Sequence, residues 1–301
     1  MDADVPFPDT TFVEGSRLAH DGEFWRRLAA AGARKLPRWW MRYSPPFFGL
    51  AAAALLPEAR RAVRNNLEHI RGPAPRWIDA IETATTFATY ASCLSEGLAR
   101  GSKNETPLRT TFIGHEHLRT AIARGKGIVL LTMHTAGWEV ATPAFVLDAK
   151  LDVMVVMEGE RDPRAQAIQD HPRGLWGAKV VRVGGDPLAA LPILRHVENK
   201  GAVAMQMDRP PSNGRKLTVK LLGREHAVPE GPLRIAQLTG AALLPTFTAR
   251  LGFNTYCGRT YSPLWLPRRA SGEEIQEAAQ TIGDAMGDFL RDFPTQWFHW
   301  R

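Results

Sequence analysis

The chain has 301 residues, 44% of them hydrophobic and 23% charged, a balance that excludes a disordered or fibrous protein and leaves room for one large domain or a domain with a helical addition. A formal charge of +7 points to an anionic partner, either a polymer or a bilayer surface. Cys93 and Cys257 stand far apart without C-x-x-C or Cys/His ligand spacing, so the sequence signals neither a disulfide framework nor a metal site, and a reducing compartment is expected.

Acidic residues and Pro6 and Pro8 open the chain where a signal peptide would be basic, which suggests that the protein stays on the cytoplasmic side. From about residue 15 to 100 the periodicity is helical, as in ARRAVRNNLEHI and WIDAIETATTFATYASCLSEGLA, with GPAP at 72–75 dividing two helices. The basic excess gathers here, at Arg38, Arg42, Arg60, Arg61 and Arg64 among others, and Trp39, Trp40, Phe47 and Phe48 lie between these charges. The stretch SPPFFGLAAAALLP (44–57) falls short of the ~20 apolar residues that a membrane span needs. Aromatic residues flanked by cations beside an apolar patch suit a headgroup interface; a buried helix with a solvated basic side is the alternative. Nucleic acid is disfavoured, because no RNP, zinc-finger or helix-turn-helix pattern accompanies the charge.

After Lys103 strands and helices alternate. Strands are expected at 127–133, 151–158, 178–183, 201–207, 217–223 and 241–250, and helices at 115–125, 137–150, 163–177, 186–200, 231–240 and 273–293. Strands that are apolar throughout, separated by helices, predict an α/β fold with a mostly parallel central sheet flanked by helices and preceded by a helical section. The expected division is 1–102 for a membrane-proximal helical section and 103–301 for the α/β core.

Chemistry in such a sheet collects at the carboxyl ends of strands. IVLLTMHTAGWE (128–139) ends its apolar run in His134, and Thr135, Ala136 and Gly137 allow the chain to fold back so that Glu139 can meet the imidazole. A carboxylate on one ring nitrogen fixes the tautomer and raises the basicity of the other, which is the orienting half of a general base. A structural hydrogen bond is the competing interpretation. There is no G-x-S-x-G elbow, no Cys/His nucleophile and no metal ligand set, so the base is expected to act on a substrate hydroxyl or amine. Arg161, Arg164 and Arg209 follow other strands and bring positive charge to strand ends, or else form surface ion pairs. Asp208, the first polar group after GAVAMQM, is placed to orient an arginine or an acceptor, or to cap a turn. VPEG (228–231) is explained as the start of a helix.

The sequence resembles the bacterial lysophospholipid acyltransferase-like family that includes the lipid A lauroyl/myristoyl acyltransferases and phosphatidylinositol mannoside acyltransferase. The resemblance is carried by His134 and Glu139 as H-x4-D/E, by VRNNL (63–67), GAVAMQMDR (201–209), KLLG and GPLRIAQLTGAALLP (231–245), and by PTQWFHWR (294–301), in the family's order. It implies transfer of a fatty acyl group from acyl carrier protein or acyl coenzyme A to a hydroxyl of a membrane lipid or glycolipid, without a further cofactor. His134 would be the base and Glu139 its orienting partner. Arg161, Arg164, Asp208 and Arg209 would bind substrate, with Glu225 from the KLLGRE region in support. The family's lipid A branch usually carries an N-terminal transmembrane helix; here the short 44–57 patch implies peripheral attachment to the cytoplasmic face of the inner membrane. A thioesterase and a lipid-binding protein without catalysis are the competing functions.

Overall fold

A computed structural model of the chain describes residues 31–32, 35–103, 105–138, 150–158, 179–183, 190–211 and 214–300. The front section is helical, with α1 (Arg38–Tyr43), α2 (Pro45–Leu55), α3 (Pro57–Arg71) and α4 (Arg76–Leu98). Prolines occupy the first turns of α2 and α3, where the missing N–H costs nothing. Arg60 of α3 reaches back to the end of α2 and donates to the carbonyls of Ala53 (2.6 Å) and Ala54 (3.1 Å), which that helix cannot satisfy internally. The contact of α2 on α4 is close: a Cβ at Gly49 would stand 2.4 Å from the Phe87 carbonyl oxygen. Ala53, Val63, Leu67 and Phe87 form a small core that Trp300, from the far end of the chain, joins. Among the described residues no helix is long and apolar enough to cross a membrane.

The second section contains β1 (Arg109–Ile113), α5 (His115–Ala123), β2 (Ile128–Thr132), β3 (Val153–Glu158), β4 (Lys179–Val183), α6 (Ala190–Glu198) and β5 (Ala202–Gln206). It continues with β6 (Lys216–Leu221), β7 (Arg224–Pro229), α7 (Gly231–Thr239), β8 (Ala242–Gly252), β9 (Thr255–Thr260) and α8 (Gly272–Asp292). Seven strands form one sheet in the order β1-β9-β8-β2-β5-β3-β4. All neighbours are parallel except β8 and β9, so the sheet is mostly parallel, as the alternation of strands and helices predicts. β6 and β7 pair as a separate antiparallel hairpin.

Both faces of the central strands are covered. Val129, Leu131 and Met133 enter the larger core with Leu233 and Ala236 of α7 and Ile282, Met286 and Phe289 of α8, while Ile128 and Leu130 face a second cluster with Ala121 of α5. This explains why β2 reads as an unbroken apolar run. Ser271 starts α8 through a capping box with Glu274. Strands β1, β7 and β9 were not expected from the sequence. β1 and β9 alternate in burial, and β7 is exposed at its start, so none presents a continuous apolar run. The helices expected over 137–150 and 163–177 lie largely or wholly outside the described residues.

The helical section and the sheet are tied by a buried carboxylate. Glu96 of α4 accepts hydrogen bonds from the Arg250 guanidinium (2.6 and 3.0 Å), the Asn254 backbone N–H (3.2 Å) and the Tyr256 hydroxyl.

Candidate active site

β2 and β5 are neighbours in register, with Thr132 opposite Gln206, so the two chains leave the sheet side by side. Each meets its first charged or titratable group two residues later, His134 after β2 and Asp208 after β5. The two side chains bond: His134 Nδ1–H donates to Asp208 Oδ1 at 2.9 Å. An ionised carboxylate only accepts, so the proton of the neutral ring sits on Nδ1 and Nε2 keeps its lone pair. The backbone N–H of His134 lies 3.2 Å from both carboxylate oxygens, and Trp297 Nε1–H donates to Oδ2 at 2.9 Å. Asp208 is fully buried, whereas the His134 side chain retains 24% of its exposure. Burial by itself would raise the Asp208 pKa; the His134 charge and hydrogen bond, the Trp297 N–H and the His299 charge outweigh it and hold the carboxyl well below the usual range.

The C-terminal segment completes this arrangement. Trp297 bridges to Thr135, the Phe298 N–H donates to the His134 carbonyl (2.7 Å), and the Ala136 N–H donates to the Gln296 carbonyl (3.2 Å). The Gln296 amide is itself held by the backbone N–H and C=O of Arg250 (2.7 and 3.0 Å). His299 stacks on Trp297 with ring centres 5.2 Å apart, and His226 of β7 stands edge-on to both. His226 Nε2–H also donates to the Asp208 carbonyl at 3.0 Å. From α3, Asn66 donates to the His299 carbonyl (2.5 Å) and His69 lies edge-on to Trp297. Burial lowers the His226 pKa. The His299 pKa falls to about 4, first through burial, against the attraction of Asp208 and with help from the charges of Arg209, His226 and His134.

The turn that follows His134 depends on Gly137, whose φ of +87° is a left-handed conformation. A Cβ there would stand 2.3 Å from the Tyr256 ring, so both the backbone and the packing select glycine.

Of the site residues proposed from the sequence, His134 and Asp208 come together and Arg209 follows directly, half-buried, with its charge felt at His299. Glu139, Arg161 and Arg164 lie outside the described residues. Glu225 is exposed on β7, and its neighbour His226 is the residue turned toward Asp208, as strand alternation requires. Glu230 of VPEG precedes α7 and accepts from Arg234 Nε at 2.6 Å, a local pair at the start of that helix. Both thiols stay protonated near neutrality: burial first, then the Glu96 charge, pushes Cys93 up to about 12, and burial raises Cys257 as well. His226, Trp297 and His299 were not identified as site residues from the sequence. The only signal for Trp297 and His299 was the terminal PTQWFHWR pattern, which carried no role, and His226 stood beside Glu225 without a signal of its own.

The chain is similar to several acyltransferases. A lipid A biosynthesis acyltransferase of Haemophilus influenzae is 26% identical over 205 residues, which is 66% of this chain and 60% of the relative, so the match leaves two fifths of that relative uncovered. A phosphatidylinositol mannoside acyltransferase of Mycobacterium tuberculosis is 29% identical over 244 residues, 78% of this chain and 74% of its own length. Among solved structures, the 1-acyl-sn-glycerophosphate acyltransferase of Thermotoga maritima aligns over 89% of this chain and 98% of its own at 11% identity and a TM-score of 0.38. The sequence model of one family, described as bacterial lipid A biosynthesis acyltransferase, matches residues 21–301. That match takes in both the helical section and the sheet, and the chain accordingly belongs to the bacterial lipid A biosynthesis acyltransferase family.

Proposed function

We propose that the protein transfers a fatty acyl group from a thioester, carried by acyl carrier protein or coenzyme A, to a hydroxyl of a membrane lipid or glycolipid. The observation that carries this proposal is the 2.9 Å bond from His134 Nδ1 to the buried Asp208 carboxylate, together with membership of an acyltransferase family. Asp208 orients the ring, and Nε2 takes the acceptor's hydroxyl proton as its oxygen attacks the thioester carbonyl carbon. The tetrahedral oxyanion then collapses, the C–S bond breaks, and the imidazolium returns the proton to the leaving thiolate. Arg209, half-buried beside Asp208, is the described cation nearest in sequence to the dyad, and Arg161 and Arg164 are proposed with it to hold the oxyanion or a substrate phosphate. Asp208 takes the orienting role on Nδ1, and Glu139 of the H-x4-E motif is proposed only as a further residue of the catalytic motif. Glu225 is given no more than a supporting place on β7.

Attachment to the cytoplasmic face of the inner membrane is proposed to be peripheral and to use α1 and α2. There Trp39, Tyr43, Phe47, Phe48, Leu50 and Leu55 are exposed, Phe47 at 70% and Leu55 at 76%. Exposed Lys35, Arg38 and Arg42 flank them, which suits an anionic interface.

The test is incubation of wild-type protein, His134→Ala and Asp208→Asn with labelled acyl carrier protein or acyl coenzyme A thioesters and a bacterial lipid extract. Label should enter one lipid species, with kcat lower by about 10²–10⁴-fold in either variant and KM little changed. Label released only as free fatty acid would identify a thioesterase, and full activity in His134→Ala would remove the general base from the scheme.

A further inference from the structure

We propose that Trp297 is a positioning residue of the active site, its indole N–H holding the Asp208 carboxylate in the one orientation that presents Oδ1 to His134 Nδ1. The two carboxylate oxygens are divided between distinct donors. Oδ1 takes the His134 ring N–H at 2.9 Å, Oδ2 takes Trp297 Nε1–H at 2.9 Å, and the His134 backbone N–H lies 3.2 Å from each. Among the described residues, Oδ2 without the indole N–H keeps only that longer shared contact inside a fully buried site. A buried carboxylate oxygen with an open lone pair turns toward another donor, and the imidazole then loses the acceptor that selects its tautomer.

The indole is fixed more firmly than a residue that merely fills space. It is 2% exposed, stacked on His299 and flanked edge-on by His226 and His69. The segment carrying it is bonded to the loop carrying His134, through the Thr135 bridge and from the Phe298 N–H to the His134 carbonyl. Base and orienter are therefore referenced to the same strap. The titratable and charged groups around the carboxylate are His134 from the loop after β2, His226 from β7, His299 from the strap itself and the adjacent Arg209; His69 of α3 lies behind the indole. The kinetic consequence rests on the acyl-transfer proposal, whereas the geometric one does not.

The experiment replaces Trp297 with Phe, and separately with benzothienylalanine, which keeps the bicyclic ring and removes only the N–H. Two readouts are taken: the His134 tautomer, from ¹⁵N chemical shifts at about pH 8, and the steady-state kinetics. Wild type should show a single His134 tautomer with the proton on Nδ1, and both variants a mixture. Losing a hydrogen bond to a charged group should lower kcat by about 10–100-fold with KM within about twofold. If the Phe variant fails to fold, the benzothienylalanine protein carries the test. A folded variant that keeps one tautomer and the wild-type kcat overturns the inference. Should wild type transfer no acyl group, the acyl-transfer proposal fails by itself and the tautomer comparison still decides the role of Trp297.

Discussion

His299 shows how much a single side chain near the dyad responds to its surroundings. Its imidazole is neutral in the folded protein down to about pH 4, because it is buried and lies near Arg209, His226 and His134, with Asp208 opposing them. In the unfolded chain an ordinary histidine protonates near 6.5. Between these values the unfolded state binds the extra proton, so stability falls as pH drops from about 6.5 toward 4 and is unaffected by this group above that window. The loss should reach on the order of 3 kcal/mol, at about 1.4 kcal/mol for each pH unit. Thermal midpoints measured across this range should fall more steeply for wild type than for His299→Gln, and parallel curves would assign the acid loss to other groups. At this scale the sequence was partly legible. His134 and Asp208 were each recognisable as the first charged or titratable group beyond a buried strand, but the choice of Asp208 as the carboxylate on Nδ1 depends on two chain exits 74 residues apart lying next to each other.

Among the elements, the turn that follows β2 is exacting. Gly137→Ala meets two obstacles: the left-handed backbone, which costs a non-glycine residue about 1–2 kcal/mol, and the Tyr256 ring 2.3 Å from the new Cβ. The expected result is a folded protein whose acyl transfer falls at least about tenfold, because the turn carries His134 out of line with Asp208. Circular dichroism and the kinetic assay, run together, check this; unchanged activity would mean that the turn tolerates displacement. The strands with unbroken apolar runs, β2, β3, β5 and β8, were readable because both of their faces are covered. RTTFI and TYCGRT were not, since β1 is the sheet's edge and β9 beside it alternates polar with apolar residues, and their strand character is visible only once β1 and β9 pair. Likewise REHAVP becomes a strand by pairing with β6, and that pairing is what turns His226 rather than Glu225 toward the site.

For the whole molecule, the exposed aromatic surface of α1 and α2 predicts how the protein meets a bilayer. Changing Trp39, Phe47 and Phe48 together to Ser removes apolar rings that the fold leaves largely outside its core, so folding should survive. Partition into anionic phospholipid vesicles, followed by sedimentation, should weaken by at least about tenfold, given roughly 25 cal/mol per Å² of apolar surface withdrawn from the interface. Raising salt from about 0.1 to 0.5 M should weaken the wild type further, because Lys35, Arg38 and Arg42 act through a screened field. Undiminished binding by the triple variant would move the docking face elsewhere. Composition pointed to this basic, aromatic section, yet the fold divides its charges differently: Arg60 is used to cap α2, and Arg64 and Arg71 pair with Asp79. The same section is fastened to the sheet by Glu96 and roofed by Trp300, contacts between residues remote in sequence.

What the sequence determined by itself is local: helical periodicity up to about residue 100, apolar strands separated by helices after it, and a histidine and an aspartate placed at strand ends. Hydrophobic period and turn chemistry act over a few residues and leave their mark in the chain directly. What only the tertiary structure decided is partnership. The order of strands around β2 chose Asp208 for His134, the β6–β7 hairpin chose His226, and the return of the C-terminal segment across the sheet chose Trp297. Each choice depends on which apolar faces pack together, and that is a property of the folded core rather than of any stretch of sequence.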